Sequence, residues 1–491
     1  MKMYVGSGAV EASDGKTQNI INPATGEVVD TVPAATLQDV DKAISTAVAY
    51  QTEWEKIPVR ERVRRLKKFT ELVMRDRLEL GRILSLETGK PYMAEAVWEF
   101  DSVAHIFEAA CEVAKHHYGE TMPIGLEGGY DDDIQFTIHE PIGVIACIIP
   151  FNFPAALWSF KAAAGLAAGN AIVVKAPTPN PLALMMLHGL LIEAGIPAEV
   201  VQCLTGAGST VGSALAKDPR IASINFTGST AVGIDIAKNA ASNLTHYEFE
   251  LGGNDALIIC ADADMDLAVA ESGDKSRNSG QACSAAKRFI VHNSIKEEFT
   301  TRLIADRLSI LKLGNPMDPE TTMGPVITED AAIGVEKHIQ HAVSQGAKIA
   351  FGGKRNGAFV EPTVLIDVTR EMDIAKDDEV FGPVWPIIGF DTLDEAIEIA
   401  NNTKYGLGGG VITRDMPTAF RVVREMKSGH VAVNASGGFR AAELPFGGGK
   451  AASGNSRESM ATVMSMVTKK KSVILRYVLN PRKPELRSAG C

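Results

Sequence analysis

Cysteine is scarce in this chain and follows no pattern. The six cysteines stand at positions 111, 147, 203, 260, 283 and 491. No two have CxxC spacing, which argues against a zinc ribbon or a disulfide framework and points to a reducing, cytoplasmic setting. The ten histidines form no HExxH pair, and His116-His117 reads as a surface pair, so no metal site is expected. Long apolar runs are missing: no stretch of about 18 uncharged apolar residues suggests a membrane span. Met1-Lys-Met-Tyr-Val-Gly-Ser7 lacks the sustained apolar core of a secretory leader. Positive charge is outweighed, 49 Lys and Arg against 60 Asp and Glu. The net charge of -11 argues against nucleic acid or an anionic membrane as partner. The one basic stretch, Arg60 to Lys68, carries Val63 and Leu66 at helical spacing and reads as a solvated helix face.

What remains is an ordinary globular composition, 45% hydrophobic and 22% charged, over 491 residues. That length exceeds one compact core, so two or more domains are expected. Residues 36 to 118 read as amphipathic helices, with Val63, Leu66, Phe69 and Leu72-Val73 at spacings of three and four. Residues 119 to 140 are rich in Gly and Asp and read as a hairpin excursion. From Ile142, apolar strands alternate with helices: Val144 to Ile149, helix 155–168, Ala171 to Val174, helix 181–194, Val200-Val201, helix 208–217, Ile221 to Asn225. This alternation predicts an α/β fold with a mainly parallel sheet, which binds nucleotides beyond the carboxyl ends of its strands. A second β-α series follows Glu250, at Ala256 to Cys260, Phe289 to Val291, Lys348 to Ala350 and Val431 to Val433. Lys471 to Tyr477 alternates as an edge strand, and a tail containing Pro and Lys follows.

Five segments carry chemistry. Cys283, in Asn278-Ser-Gly-Gln-Ala-Cys-Ser284, is flanked by small residues and is a candidate nucleophile. An ordinary thiol is only about 3% thiolate at neutral pH, so it needs activation; the alternative is a buried structural cysteine. Asn152, in Pro150-Phe-Asn-Phe-Pro154, closes a buried strand and opens a helix. It is either a turn residue or, with the backbone N–H of Cys283, an oxyanion donor. Glu250 ends an apolar stretch before Gly252-Gly253 and is either a structural ion-pair partner or a general base with a raised pKa. Lys175 ends a strand, and Phe226-Thr-Gly-Ser-Thr-Ala-Val-Gly233 puts Gly228 and Ser229 at a helix start, a natural phosphate seat. That segment is not a GxGxxG fingerprint. Gly206, Gly208 and Gly212 form a looser turn read as structural.

Taken together and in order, from Asn22-Pro-Ala-Thr-Gly26 to Pro445-Phe-Gly-Gly-Gly-Lys450, these motifs closely resemble the aldehyde dehydrogenase superfamily. The resemblance implies oxidation of a small-molecule aldehyde to its acid with NAD or NADP, through a covalent adduct and a thioester. It makes Cys283 the thiol, Glu250 the base and Asn152 the oxyanion donor, with Lys161 and Glu458 in a proton relay. It places Lys175 at the adenosine ribose, Ser229 at the pyrophosphate, and Glu379 and Phe381 at the nicotinamide ribose and ring. Ile149, Phe151, Gly212, Phe226, Gly228, Leu251 and Gly252 join them around the cofactor. It further implies a Rossmann-type cofactor domain (1–118 and 141–250), an α/β catalytic domain (251–450), and an oligomerisation arm with the C-terminal segment (119–140 and 451–491). A homodimer or homotetramer follows from that arm.

Thr178 stands where many members carry a ribose-binding Glu, so a 2′-phosphate is not repelled and NADP is tolerated. The stretches from Glu250 and from Gly438 to Phe446 resemble a branch of lactaldehyde, phosphonoacetaldehyde and glyceraldehyde-phosphate type enzymes. Anion-binding members of that branch often have Arg before the cysteine; here Ala282 precedes it and Ser284 follows. By the same resemblance Phe153, Leu157 and Phe160 point toward the substrate tunnel. A neutral apolar or aromatic aldehyde is therefore expected, with Arg440 as the group that would favour an anionic one. A CoA-acylating relative is disfavoured because that branch usually lacks the base. A protein that keeps the fold without turnover is disfavoured by the intact motif set.

Overall fold

The computed structural model describes residues 1–128, 131–438 and 440–476. The tail after Arg476, with Cys491 and the last residue of the expected edge strand, lies outside them.

The apolar runs form strands wherever a side chain can be buried on both faces. Val144–Ile148, Ala171–Lys175, Val201–Leu204 and Ser223–Thr227 are buried along their whole length, the signature of a parallel sheet covered on both sides. His246–Glu250 extends this sheet in parallel beyond Ser223–Thr227. Met3–Val5 and Gly8–Val10 add two antiparallel strands at the other edge, making seven. A second seven-stranded sheet has Asp255–Ile259 and Ala286–His292 at its middle, with Val384–Phe390 and Gly409–Ile412 parallel beside them. The chain passes between the two sheets in the few residues from Glu250 to Asp255.

Helices Leu37–Glu55, Val59–Thr88 and Val97–His116 pack with the first sheet into one core. Thr36 starts the first of them with a capping box to Asp39. Helix Pro154–Ala168 opens with proline, whose fixed φ suits a first helical turn. Its Trp158 meets Phe69 and Phe107 at centroid distances of 6.0 and 5.4 Å.

One expectation is corrected. The basic stretch is not a wholly solvated face. Arg64, Arg65, Lys67 and Lys68 do pair with surface carboxylates. Arg62, however, is buried and donates to the carbonyls of Glu55, Ile57, Ala167 and Ala168, tying two helix ends together. Residues 119–140 fold back on themselves as the hairpin reading expects: Thr121 bridges Phe136 antiparallel, the N–H of Met122 donates to the carbonyl of Gln135, and that of Thr137 to the carbonyl of Glu120. Ile134–Pro141 pairs along its length with Thr468–Leu475 as well, antiparallel. Pairing more than 300 residues away along the chain is invisible to a local pattern. Between the arm and Phe446, helix Met460–Met466 returns to the first core and buries Met460, Val463 and Met464 there.

Candidate active site

A cavity of about 850 Å³ opens where the first sheet's strands end. Its wall takes residues from just beyond four neighbouring strands: Ile149 and Phe151, Lys175 and Thr178, Gly208 and Gly212, Gly228 and Ser229. Leu251 and Gly252 follow the fifth strand, and Glu379, Phe381, Asn152 and Cys283 complete the wall. All twelve residues expected near the cofactor, Phe226 included, thus line one space with the candidate thiol and amide. Gly208, read from sequence as structural, lines it too, as do Ser209, Ser213 and Asp235, which no motif had marked.

One side of the cavity carries a helix start, a buried amine and a carboxylate. Ser229 caps helix Thr230–Ala241, its hydroxyl 3.5 Å from the N–H of Val232. The helix therefore presents its N-terminal N–H groups to the cavity, where a phosphate is stabilised. Lys175 donates to Thr178 Oγ1 at 2.9 Å, and Thr178 donates on to the carbonyl of Gly206 at 3.2 Å. Burial holds the Lys175 amine down at about 8. Glu379 Oε1 accepts from the N–H of Gly253 at 3.0 Å. A side chain at Gly252 is excluded, since a Cβ there would sit 2.3 Å from Glu379 Oε2. Phe151 and Phe381 meet edge to face at 5.9 Å.

The thiol stands on a tight turn. Asn278 and Ser279 both have left-handed backbone, φ 48° and 53°, and Gly280 follows at φ 78°. Such a run is costly for residues with a Cβ and persists because the surroundings hold it. The N–H of Asn278 donates to Glu95 Oε2 at 2.7 Å, and its Nδ2 donates to the carbonyls of Asn152 at 2.8 Å and Gln281 at 3.2 Å. Asn152 Nδ2 donates to the same Gln281 carbonyl at 3.1 Å, so the amide and the cysteine turn are fixed to each other. Cys111, Cys147, Cys203 and Cys260 are buried, whereas Cys283 is half-exposed to the cavity. Desolvation still pushes its thiol up to about 11, opposed by Lys287 and Arg440. A thiol raised in this way is a poorer nucleophile unless a base or a nearby cation favours its thiolate.

Glu250 does not line the cavity. Its Oε1 accepts from Ser456 Oγ at 2.5 Å, while Oε2 is buried without a partner. Burial, and then the charge of Glu458, hold this carboxyl well above the usual carboxylate range. Glu458 has two cations: Lys161 Nζ at 2.6 Å and Arg440. They keep its own carboxyl low despite burial. Adjacent carboxyls with opposed proton affinities are a common arrangement for proton traffic.

The expected substrate residues are divided. Ala282 and Ser284 flank the thiol at intermediate exposure. Leu157 and Phe160 are buried. The Arg440 guanidinium stacks 3.8 Å over the Phe160 ring and 4.6 Å over Phe446, and its charge is matched by Glu458. Phe153 carries the Lys90 ammonium 3.9 Å over its ring. None of Phe153, Leu157, Phe160 and Arg440 reaches the 850 Å³ cavity.

Known proteins are similar to this chain along nearly its whole length. Residues 10–473 match the model of the aldehyde dehydrogenase family. Glutarate-semialdehyde dehydrogenase of Pseudomonas putida is 38% identical over 457 residues, 93% of each chain. Human retinal dehydrogenase 2 is 40% identical over 465 residues, 93% of this chain and 88% of its own. The NAD+ complex of an aldehyde dehydrogenase from Bacillus cereus superposes with a TM-score of 0.93 at 35% identity, covering 97% of this chain and 96% of that one. With a thiol, an amide and a carboxylate-lined cleft joined on two α/β sheets, and this match along nearly its whole length, the chain belongs to the aldehyde dehydrogenase family.

Proposed function

We propose that the protein oxidises an aldehyde to the carboxylic acid with NAD or NADP, hydrolytically and through a thioester on Cys283. One observation carries this reading: a single cavity has Cys283 and Asn152 on the same wall as Lys175, Ser229, Glu379 and Phe381. Lys175 and Thr178 would hold the adenosine ribose, Ser229 the pyrophosphate, and Glu379 the nicotinamide ribose. Thr178 is neutral and adds no repulsion toward a 2′-phosphate, so both cofactors are accepted. The bound nicotinamide supplies the acceptor for the hydride.

The chain does the rest. Cys283 loses its proton to solvent and attacks the carbonyl carbon as thiolate, forming a thiohemiacetal. Asn152 Nδ2 and the N–H of Cys283 hold the oxyanion, an effect worth about 3–4 kcal/mol for one donor. Loss of hydride leaves a thioester. Glu250 takes a proton from water, the hydroxyl adds to the thioester, and the sulfur departs as thiolate. Glu458 and Lys161 carry the proton onward. The presence of Glu250 supports water rather than CoA as the acyl acceptor, since the CoA-acylating branch usually lacks this base.

For the substrate we infer a neutral apolar or aromatic aldehyde, because Arg440, the cation nearest Phe160, is already neutralised by Glu458. A second reading, a semialdehyde or another small anionic aldehyde, is favoured by the Pseudomonas putida relative and by the buried Arg440 Nε, which has no partner. Assembly as a homodimer or homotetramer is supported by strand Thr468–Leu475, which exposes Ile474 and Leu475.

The test is absorbance at 340 nm with NAD and with NADP over benzaldehyde, hexanal, succinic semialdehyde, glutaric semialdehyde and lactaldehyde, without CoA. Turnover that vanishes in Cys283→Ala is expected, with hexanal or benzaldehyde leading. Semialdehydes leading by tenfold, with a large loss in Arg440→Ala, would establish the second reading. Silence until CoA is added would overturn hydrolysis.

A further inference from the structure

The proposed chemistry leaves one buried ammonium beside Cys283 without a task. Lys287 is the second residue of strand Ala286–His292 and is 2% exposed. Its Nζ donates to the carbonyls of Cys283 at 2.6 Å, Ala282 at 2.9 Å and Ala285 at 3.4 Å. The same Nζ lies 3.6 Å from Glu379 Oε1 and 5.9 Å from the centre of the Phe381 ring. One cation thus ties the backbone of the nucleophile turn to the segment that carries Glu379.

We propose that Lys287 is a positioning residue for the thiol: it fixes the Cys283 turn and supplies the positive charge that favours thiolate, and Glu379 tempers that charge. The inference rests on Cys283 being the nucleophile. The other groups facing this place leave Lys287 as the principal cation. Lys275 is buried with no partner for its amine, and burial and then Lys287 itself push it well below its usual range. Asp255 is raised to about 6 by burial, with Lys287 opposing. Arg440 also acts on Cys283 but is paired with Glu458, and Glu250 acts in the opposite sense. A carboxylate beside an ammonium cancels part of its field, so the Glu379 charge sets how much of it reaches the sulfur.

The experiment reads the thiol directly, with no aldehyde or cofactor present. Purified full-length protein is treated with iodoacetamide, and alkylation of the peptide bearing Cys283 is followed by mass spectrometry from pH 7 to 9. Below the thiol pKa the rate is proportional to the thiolate fraction, so raising that pKa by one slows alkylation about tenfold. Lys287→Met should slow alkylation at pH 8 by about tenfold or more, while Lys287→Arg, which keeps the charge, stays within about threefold of the parent. Glu379→Gln, a cavity-wall substitution that leaves Lys287 in place, should speed it by about threefold. Equal slowing in the Met and Arg variants would reduce Lys287 to a packing role and overturn the proposal. An unchanged rate in folded Lys287→Met would do the same. If Lys287→Met does not fold, Glu379→Gln decides alone, and an unchanged or slower rate there overturns the proposal. Failure of the nucleophile assignment shows separately, as turnover surviving in Cys283→Ala.

Discussion

The two seven-stranded sheets meet the cavity with opposite ends. The first presents carboxyl ends: Ile148, Lys175 and Thr227 stand at or beside the last positions of their strands, and the loops beyond run into helix starts. The second presents amino ends: Cys283 lies just before Ala286–His292, and Glu379 and Phe381 just before Val384–Phe390. Carboxyl ends feeding helix N-termini offer backbone N–H groups and suit a phosphate. Amino ends here offer tight turns braced from below by buried cations. Lys287 holds the cysteine turn, and Arg288 beside it donates to the carbonyls of Asn254, Ala375, Ile399 and Ala400. The helix start at Ser229 thus belongs to the first sheet and the cysteine turn to the second, Asn152 comes from the first and Glu379 from the second, and Glu250 sits at the crossing between them.

This division can be broken from either side. The largest effect is expected at the crossing. Glu250→Gln should lower steady-state turnover by about 10²–10³-fold, while a burst of NADH in the first turnover survives in stopped flow. The pH dependence follows from the raised carboxyl. Below its pKa Glu250 is protonated and takes no proton from water, so hydrolysis of the acyl-enzyme falls as pH drops through that raised value. The Gln variant should lose this limb, and loss of the burst together with turnover would place Glu250 in the first half-reaction instead.

A smaller, two-part effect is expected on the second sheet. Gly280 has φ 78°, and a Cβ there would lie 2.2 Å from the carbonyl of Gly382. Gly280→Ala should cost about 2–4 kcal/mol in stability and lower kcat by about 10²-fold through misplacement of the thiol. Cofactor affinity by fluorescence titration should change little. If affinity falls as far as kcat, the two sheets are not separable in function.

The smallest effect belongs to the first sheet. Thr178→Glu puts a carboxylate beside Lys175 and should cut kcat/KM for NADP by about tenfold through repulsion of the 2′-phosphate. The value for NAD should stay within about threefold. Equal loss with both cofactors would remove Thr178 from the ribose site.

Much of this was legible in the residues because it was local. Strand and helix alternation from Ile142 onward follows from periodicity, and ligand binding at carboxyl ends is a general property of such sheets. Lys287 was missed, although the sequence held a signal for it. Lys287-Arg288 opens a run, Phe289-Ile-Val291, that reads as a buried strand, and two cations in such a place must have partners. Arg62 was misread for a related reason. The other charged residues of the stretch lie at or near the surface, and only the helix ends folded over Arg62 supply the carbonyls that bury it. The pairing of Ile134–Pro141 with Thr468–Leu475 had no local signal at all.

The sequence by itself determined the α/β alternation, the candidate thiol, amide and carboxylate, and the family in which that set occurs. These depend on residue type and short spacing, which a linear chain records. Only the tertiary structure decided which groups share an environment. Among the described residues it left one half-buried cysteine facing the cavity beside four buried ones, set Glu458 against Lys161 across 297 positions, and placed Lys287 between Cys283 and Glu379. Proton affinity depends on burial and on charges within a few ångströms, and in a folded chain those neighbours come from anywhere in the sequence.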